Sequence, residues 1–210
     1  MQKIYPDDTR TALQVFQLYE AQGEFFDISN PSNIVRKNIV IGEARLEVGA
    51  IVNAANSGMT GCYQPCHNCI DNCIHTYAGI QLRNKCAEIM DAQGYEEPTG
   101  KAKITPAYNL PCDYVIHTVG PIVQGRLTKD HEALLESCYR NSLAIADENS
   151  VGSIAFCCIS TGVFMFPNER AAEIAVETVR KYKEENNSSI KVIFNVFKDE
   201  DAAIYHRLLK

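Results

Sequence analysis

The 210 residues are the length of one α/β domain, and a hydrophobic fraction of 46% is enough to build a sizeable core. A net charge of −6 argues against general nucleic-acid binding, which needs a clustered basic face. The first ten residues lack the apolar segment of a signal peptide, and the longest apolar run, residues 154–159, is far too short to span a bilayer. These features predict a cytoplasmic protein that does not bind membranes.

The N-terminal part is predicted to lie outside the main domain. Thr9 can cap a first helix, and residues 20–37 are typical of a linker because they contain Gly, Asn, Pro and Ser close together. We therefore assign residues 1–37 to an N-terminal helix and linker packed on the domain, and residues 38–210 to the domain itself.

From residue 38 onwards, predicted strands and helices alternate. The strands cover residues 38–41, 50–53, 102–107, 114–119, 154–159 and 190–197. The helices cover residues 70–90, 130–148, 168–184 and 199–209. Pro106 marks the third strand as a candidate edge strand. Alternation of this kind indicates a sheet with a parallel core that is covered by helices on both faces.

Ligands of such sheets bind beyond the carboxyl ends of the strands. Two loops lie there, at residues 54–72 and 160–166, and neither contains a Walker A or GxGxxG pattern. A standard P-loop or dinucleotide site is therefore not expected.

The first loop contains a candidate metal site. The chain has nine cysteines and no secretion signal, which disfavours disulfides, and Cys62, His67 and Cys69 offer the soft ligands that Zn²⁺ prefers. Three ligands leave an open catalytic position, whereas Cys66 or Cys73 as a fourth ligand would make the site structural. A cysteine-rich loop with buried thiols is the alternative without metal.

Asp71 is a candidate catalytic carboxylate. It follows Cys69 by two residues, so their Cα atoms lie within roughly 7 Å and the carboxylate can hold or activate a water beside the metal. The alternative is that Asp71 only stabilises the dipole of the helix that begins there. His75 is more typical of a packed or exposed helix residue than of a ligand.

The second loop has the features of an anion site. Gly162 permits close backbone approach, and successive N–H groups before a helix can cradle a diphosphate, with Phe164 and Phe166 as apolar walls. An ordinary strand-to-helix turn with core aromatics is the alternative.

Taken together, several segments resemble the signature of macrodomains. They are residues 50–57, 69–79, 115–121, 159–164 and 192–201, and the resemblance runs from about residue 38 to residue 209. Because the segment with Cys62, His67 and Cys69 replaces a glycine-rich loop, the chain is most similar to the zinc-containing microbial branch of that family.

The resemblance implies a three-layer α/β/α fold around a mixed central sheet. It also implies zinc as the cofactor, ADP-ribose and mono-ADP-ribosylated proteins as partners, and hydrolysis of mono-ADP-ribose from those proteins. The alternatives are a non-catalytic module that reads ADP-ribose, a deacetylase of O-acetyl-ADP-ribose, and a purely structural zinc domain.

By the same resemblance, Asn56 contacts the distal ribose and Asp71 assists catalysis, while Asn195 or Phe197 lies near the adenine. The implied substrate contacts are Glu43, Ala44, Ala55, Asn56, Ser160, Thr161, Gly162, Val163, Phe164, Met165 and Phe197.

The chain departs from the family pattern at three positions. Glu43 stands where an Asp usually bonds the adenine amine, and Gly49 replaces another usual Asp. Met165 replaces a usual glycine, and we expect its side chain to obstruct the diphosphate loop.

Overall fold

The computed structural model describes residues 24–27, 34–35, 48–64, 67, 69–196 and 198–209. The helix predicted after Thr9 and the strand predicted over residues 38–41 lie outside these residues.

A seven-stranded mixed sheet organises the chain. Its strands are β1 (Glu24–Asp27), β2 (Ile34–Val35), β3 (Ala50–Ala55), β4 (Ala102–Pro106), β5 (Tyr114–Val119), β6 (Ser153–Phe156) and β7 (Lys191–Val196). They lie in the order β2-β1-β7-β6-β3-β5-β4. The strands β5, β3, β6 and β7 form a parallel core, and antiparallel strands flank it on both sides. The edge position predicted from Pro106 is confirmed for β4.

The linker prediction was wrong at two places. Residues 24–27 form β1, which pairs antiparallel with β7 from Glu24 opposite Val196 to Asp27 opposite Ile193. Residues 34–35 form β2, which pairs with β1. The sheet therefore includes residues from the predicted linker.

Five helices are described, α1 (Ile70–Ala78), α2 (Ile80–Gln93), α3 (Lys129–Glu148), α4 (Asn168–Asn186) and α5 (Asp199–Leu208). The single helix predicted over residues 70–90 is two helices, because Gly79 has φ +89° and ends the first. A Cβ atom at Gly79 would also lie 2.9 Å from Asn109 Nδ2, so glycine suits both the conformation and the space. None of the described helices has the length and apolar character needed to cross a bilayer.

The helices cover both faces of the sheet. On β7, Phe194 packs into one core together with Leu135 and Ile174 from α3 and α4, while its neighbour Ile193 packs into a second core that includes Leu82 from α2. Successive residues of a strand point to opposite faces, so these two cores lie on either side of the sheet. The predicted three-layer α/β/α arrangement is confirmed.

Candidate functional site

A cavity of about 410 Å³ opens beside the carboxyl ends of β3, β6 and β7. This volume lies within the range of small-molecule binding sites. Parallel strands end at the same edge of a sheet, so the loops that follow them meet here. The lining residues are Ala54, Asn56, Cys62, His67, Cys69, Ile70, Asp71, Cys73, Tyr77, Gly120, Cys157, Cys158, Ser160, Thr161, Gly162, Val163, Phe164, Asn195, Lys198 and Asp201.

Asp71 lies in this cavity with its carboxylate held at both oxygens. Its side chain is nearly buried, Oδ1 accepts a hydrogen bond of 2.8 Å from Asn53 Nδ2, and Oδ2 accepts one of 3.1 Å from Asn56 Nδ2. Asp71 does stand in the first turn of α1. However, a residue that only complemented the helix dipole would not need burial or two amide donors. The arrangement presents a fixed carboxylate to a bound ligand.

The amide of Asn56 is itself fixed. Its Nδ2 also donates to the carbonyl oxygen of Gly61 at 3.0 Å, and its Oδ1 accepts from the backbone N–H of Gly58 at 2.9 Å. The loop before α1 therefore determines the orientation of the side chain that meets Asp71.

Burial dominates the electrostatics around Asp71. It raises the pKa of the Asp71 carboxyl, and the hydrogen bond from Asn53 and the charge of Arg83 oppose that shift. His75 Nε2 lies 3.6 Å from Asp71 Oδ1, and burial lowers the pKa of His75 to about 4, so the ring is neutral at neutral pH. His75, predicted as a packed or exposed helix residue, is buried and lies beside the carboxylate.

The structure brings the predicted metal ligands together. Cys62 Sγ lies 3.3 Å from His67 Nδ1, and the ligand atoms of Cys62, His67 and Cys69 all lie within 4.8 Å of one another. In a tetrahedral zinc site the S···N separation is roughly 3.5 Å, given the usual Zn–S and Zn–N distances. Cys73 lines the cavity but does not join this cluster, and Cys66 lies outside the described residues. The donor set therefore fits a three-ligand zinc site.

Cys69 also has a structural role. It is the N-cap of α1, where its Sγ accepts from the backbone N–H of Asn72 at 3.4 Å. Burial raises the pKa of the Cys69 thiol to about 11. The same residue thus belongs to the candidate metal site and to the start of the helix that carries Asp71.

The second predicted loop forms the opposite wall of the cavity. Ser160, Thr161, Gly162, Val163 and Phe164 all line it. Among the residues that the structure describes, the backbone N–H groups of Gly162, Val163 and Phe164 have no backbone acceptor. Free N–H groups along a turn form an anion-binding concavity, which is the arrangement predicted for a diphosphate.

Three predicted residues of these loops do not reach the cavity. Ala55 is buried in the core, because β3 continues to residue 55 and the alternation of the strand leaves Ala54 at the cavity instead. Phe166, predicted as an apolar wall, is buried in the core. Met165 has φ +57° and a side chain that is 69% exposed and does not line the cavity, so no contact in the structure supports the predicted obstruction of the loop.

Glu43, Ala44 and Phe197 lie outside the described residues. Asn195, the other residue predicted near the adenine, does line the cavity, and its Oδ1 is buried without a hydrogen-bond partner among the described residues. This oxygen can accept a hydrogen bond from a ligand.

Three polar residues at or behind the cavity were not predicted from the sequence. Asn53 and His117 are fully buried polar residues in otherwise apolar strands, a pattern that could have identified them. Asp201 lines the cavity from α5 and accepts a 2.6 Å hydrogen bond from Asn168, but an acid in the first turn of a helix is common and gave no signal.

Comparisons with known proteins identify the family. The Macro domain family matches residues 52–175. Protein-ADP-ribose hydrolase of Treponema medium is 65% identical over 164 residues, which are 78% of this chain and 63% of the relative, so the chain spans less than two thirds of that relative's length.

Solved macrodomains have the same fold. The Oceanobacillus iheyensis macrodomain with ADP is 37% identical, with a TM-score of 0.69 over 77% of this chain and 83% of that one. The Trypanosoma brucei macrodomain in complex with ADP-ribose is 35% identical, with a TM-score of 0.65 over 78% of this chain and 64% of that one. The family match covers more than half of the chain, which therefore belongs to the Macro domain family.

Proposed function

We propose that this protein binds ADP-ribose in the cavity and hydrolyses mono-ADP-ribose from modified proteins. The observation that carries the proposal is the buried Asp71 carboxylate, held by Asn53 and Asn56 inside a cavity of about 410 Å³. The name of the Treponema medium relative and the ADP and ADP-ribose in the titles of the two solved macrodomains support it.

Binding would use the two ends of the cavity differently. The free N–H groups of residues 162–164 would hold the diphosphate, with Phe164 as an apolar wall. Asn195 would accept a hydrogen bond near the adenine. Glu43, Ala44 and Phe197 remain proposed contacts in that region.

The chemistry would take place at the distal ribose. Asn56 orients that ribose, and Asp71 orients a water against the anomeric carbon and accepts its proton as the bond to the protein breaks. The carbon passes through an oxocarbenium-like state, as in glycoside cleavage, so a fixed carboxylate on the attacking side stabilises the positive charge that develops.

We further propose zinc at Cys62, His67 and Cys69 as the cofactor. The spacing of the three ligand atoms supports this assignment. The metal, held by these three residues, would supply a Lewis acid. A cytoplasmic location suits the site, because its ligands must stay reduced.

The test is to incubate the protein with substrates that are mono-ADP-ribosylated on different side chains and to measure the released ADP-ribose. Calorimetric titration with ADP-ribose measures binding on the same preparation. Asp71→Asn keeps the side-chain volume and should lower turnover about 10²-fold or more, with little change in binding.

The outcomes separate the alternatives. Tight binding without release from any protein substrate would leave a reader module and overturn the hydrolase. Release from O-acetyl-ADP-ribose alone would assign the site to small esters. Unchanged turnover in the Asp71→Asn variant would overturn the role of the carboxylate.

A further inference from the structure

A row of buried side chains lies behind Asp71. Asn53 Nδ2 is 2.8 Å from Asp71 Oδ1 and 3.2 Å from His117 Nδ1, and His117 Nε2 is 2.9 Å from Thr105 Oγ1. All four side chains are buried. We propose that His117 is a positioning residue: it orients the Asn53 amide and thereby fixes the orientation of the Asp71 carboxylate. This inference rests on the proposed hydrolase function.

The donor count assigns one tautomer to His117. An amide nitrogen carries two hydrogens and accepts nothing, so Asn53 Nδ2 donates to both of its neighbours. His117 Nδ1 must therefore be unprotonated, which puts the proton of the neutral ring on Nε2. That proton is donated to Thr105 Oγ1, whose hydroxyl in turn points to the carbonyl oxygen of Val115 at 3.5 Å.

The acceptors alone set the orientation of Asn53. Its Oδ1 is buried and has no hydrogen-bond partner among the described residues, so none of these residues selects the orientation from that side. If the amide were reversed, its oxygen would face both the carboxylate of Asp71 and Nδ1 of His117. A proton on Nδ1 of His117 would place donor against donor and remove this selection.

The surroundings of the His117 ring preserve its neutral state. Cys86 Sγ lies 3.8 Å from Nε2, and the His75 ring lies 5.9 Å away between centroids. Burial raises the pKa of Cys86 to about 12 and lowers the pKa of His75 to about 4, so both neighbours are uncharged at neutral pH. Burial, with His75 nearby, lowers the pKa of His117 to about 3.

The sheet makes this contact rigid. Asn53 and His117 are direct partners in the parallel pairing of β3 and β5. Asp71 keeps its second hydrogen bond, from Asn56, if Asn53 turns away. Loss of the His117 acceptor would therefore rotate the carboxylate without releasing it, and small misplacements of a reacting group cost rate far more than binding.

Two substitutions at one position separate the two ring nitrogens. His117→Asn keeps an acceptor near the position of Nδ1, whereas His117→Gln extends its amide towards Nε2 and leaves Asn53 without an acceptor. We expect His117→Gln to lower kcat about tenfold or more while KM and the Kd for ADP-ribose stay within about threefold. His117→Asn should keep kcat within about threefold of the wild type.

Thr105→Val is the matched control, because it removes the hydroxyl beyond His117 and leaves Nδ1 free to accept. It should lower the melting temperature and leave kcat near the wild-type value. Equal losses of kcat in the two His117 variants, or losses that follow the melting temperature across all three variants, would overturn the positioning role.

The tautomer itself is measurable in the unmodified protein by ¹⁵N NMR of the imidazole nitrogens. We expect an unprotonated Nδ1 and a protonated Nε2 at His117, and the reverse tautomer would overturn the proposal even if the variants failed to fold. Wild-type protein that releases no ADP-ribose would overturn the proposed hydrolase and this role with it. Active protein with the reverse tautomer would overturn the positioning role alone.

Discussion

Substituting Gly120 by alanine should lower both the stability of the domain and its affinity for ADP-ribose. Gly120 follows β5 directly and lines the cavity beside the start of the second loop. A Cβ atom there would lie 2.1 Å from Ser160 Oγ and 2.9 Å from Ile159 Cγ2. Both separations are shorter than non-bonded atoms tolerate, so Gly120→Ala forces the start of the loop to move.

The cost in unfolding free energy depends on which of the two neighbouring side chains can move. The Ser160 hydroxyl can rotate away at little cost, but Ile159 is fully buried in the core and its whole side chain must shift. Overpacking of this kind costs about 1–3 kcal/mol of unfolding free energy. Because residues 160–164 form one wall of the cavity, we also expect about tenfold weaker ADP-ribose binding, or about 1.4 kcal/mol.

Urea denaturation and calorimetric titration measure the two quantities. Gly152→Ala is the control for the same chemical change, since a Cβ atom at Gly152 would have no neighbour within 4 Å, and it should shift stability by less than about 0.5 kcal/mol. Adding Ser160→Gly to Gly120→Ala removes the clashing hydroxyl at a position with φ +66°, and should restore part of the binding. A Gly120→Ala protein that is destabilised but binds ADP-ribose like the wild type would refute the assignment of this loop to the ligand.

The remaining predictions concern the metal, the second loop and pH. Cys62→Ser should lose the bound zinc, whereas Cys73→Ser should keep about one zinc per chain, as metal analysis will show; zinc retained in both would disprove the ligand set. Met165→Gly should leave ADP-ribose affinity within about twofold in calorimetry, because the side chain lies outside the cavity, and a tenfold gain would restore the obstruction hypothesis. Lowering the pH from 7 to 5 should destabilise the fold through His75 and His117, whose folded pKa values of about 4 and about 3 lie below the ordinary 6.5. The unfolded chain binds more protons in this window, so each histidine removes about 2 kcal/mol at pH 5, and a urea midpoint independent of pH would contradict the buried neutral state.

Local pattern was enough to predict the layers of the fold and the position of the cavity. Apolar strands alternate with amphipathic helices, which specifies a covered parallel sheet, and polar loops after β3 and β6 must then meet at one edge. The closeness of Cys62, His67 and Cys69 could be predicted for a related reason, because they lie within one short loop and no long-range contact is needed to bring them together.

Features that depend on register or on a single dihedral angle could not be predicted. The apolar spacing continues across Gly79, so periodicity alone suggests one helix where the backbone forms two. Asn53 and His117 are 64 residues apart, and only the register of β3 against β5 makes them partners. Whether Ala54 or Ala55 faces the ligand depends likewise on where the strand ends.

The short helix α1 connects the candidate zinc site to the carboxylate of Asp71. Cys69 caps this helix through the same sulfur that belongs to the candidate zinc site, and Asp71 follows in its first turn. Oxidation of that sulfur would change a candidate metal ligand and the helix cap together, and would disturb the turn that carries Asp71. A preparation that has aged in air should therefore lose turnover in a single step, and added zinc without a reductant should not restore it.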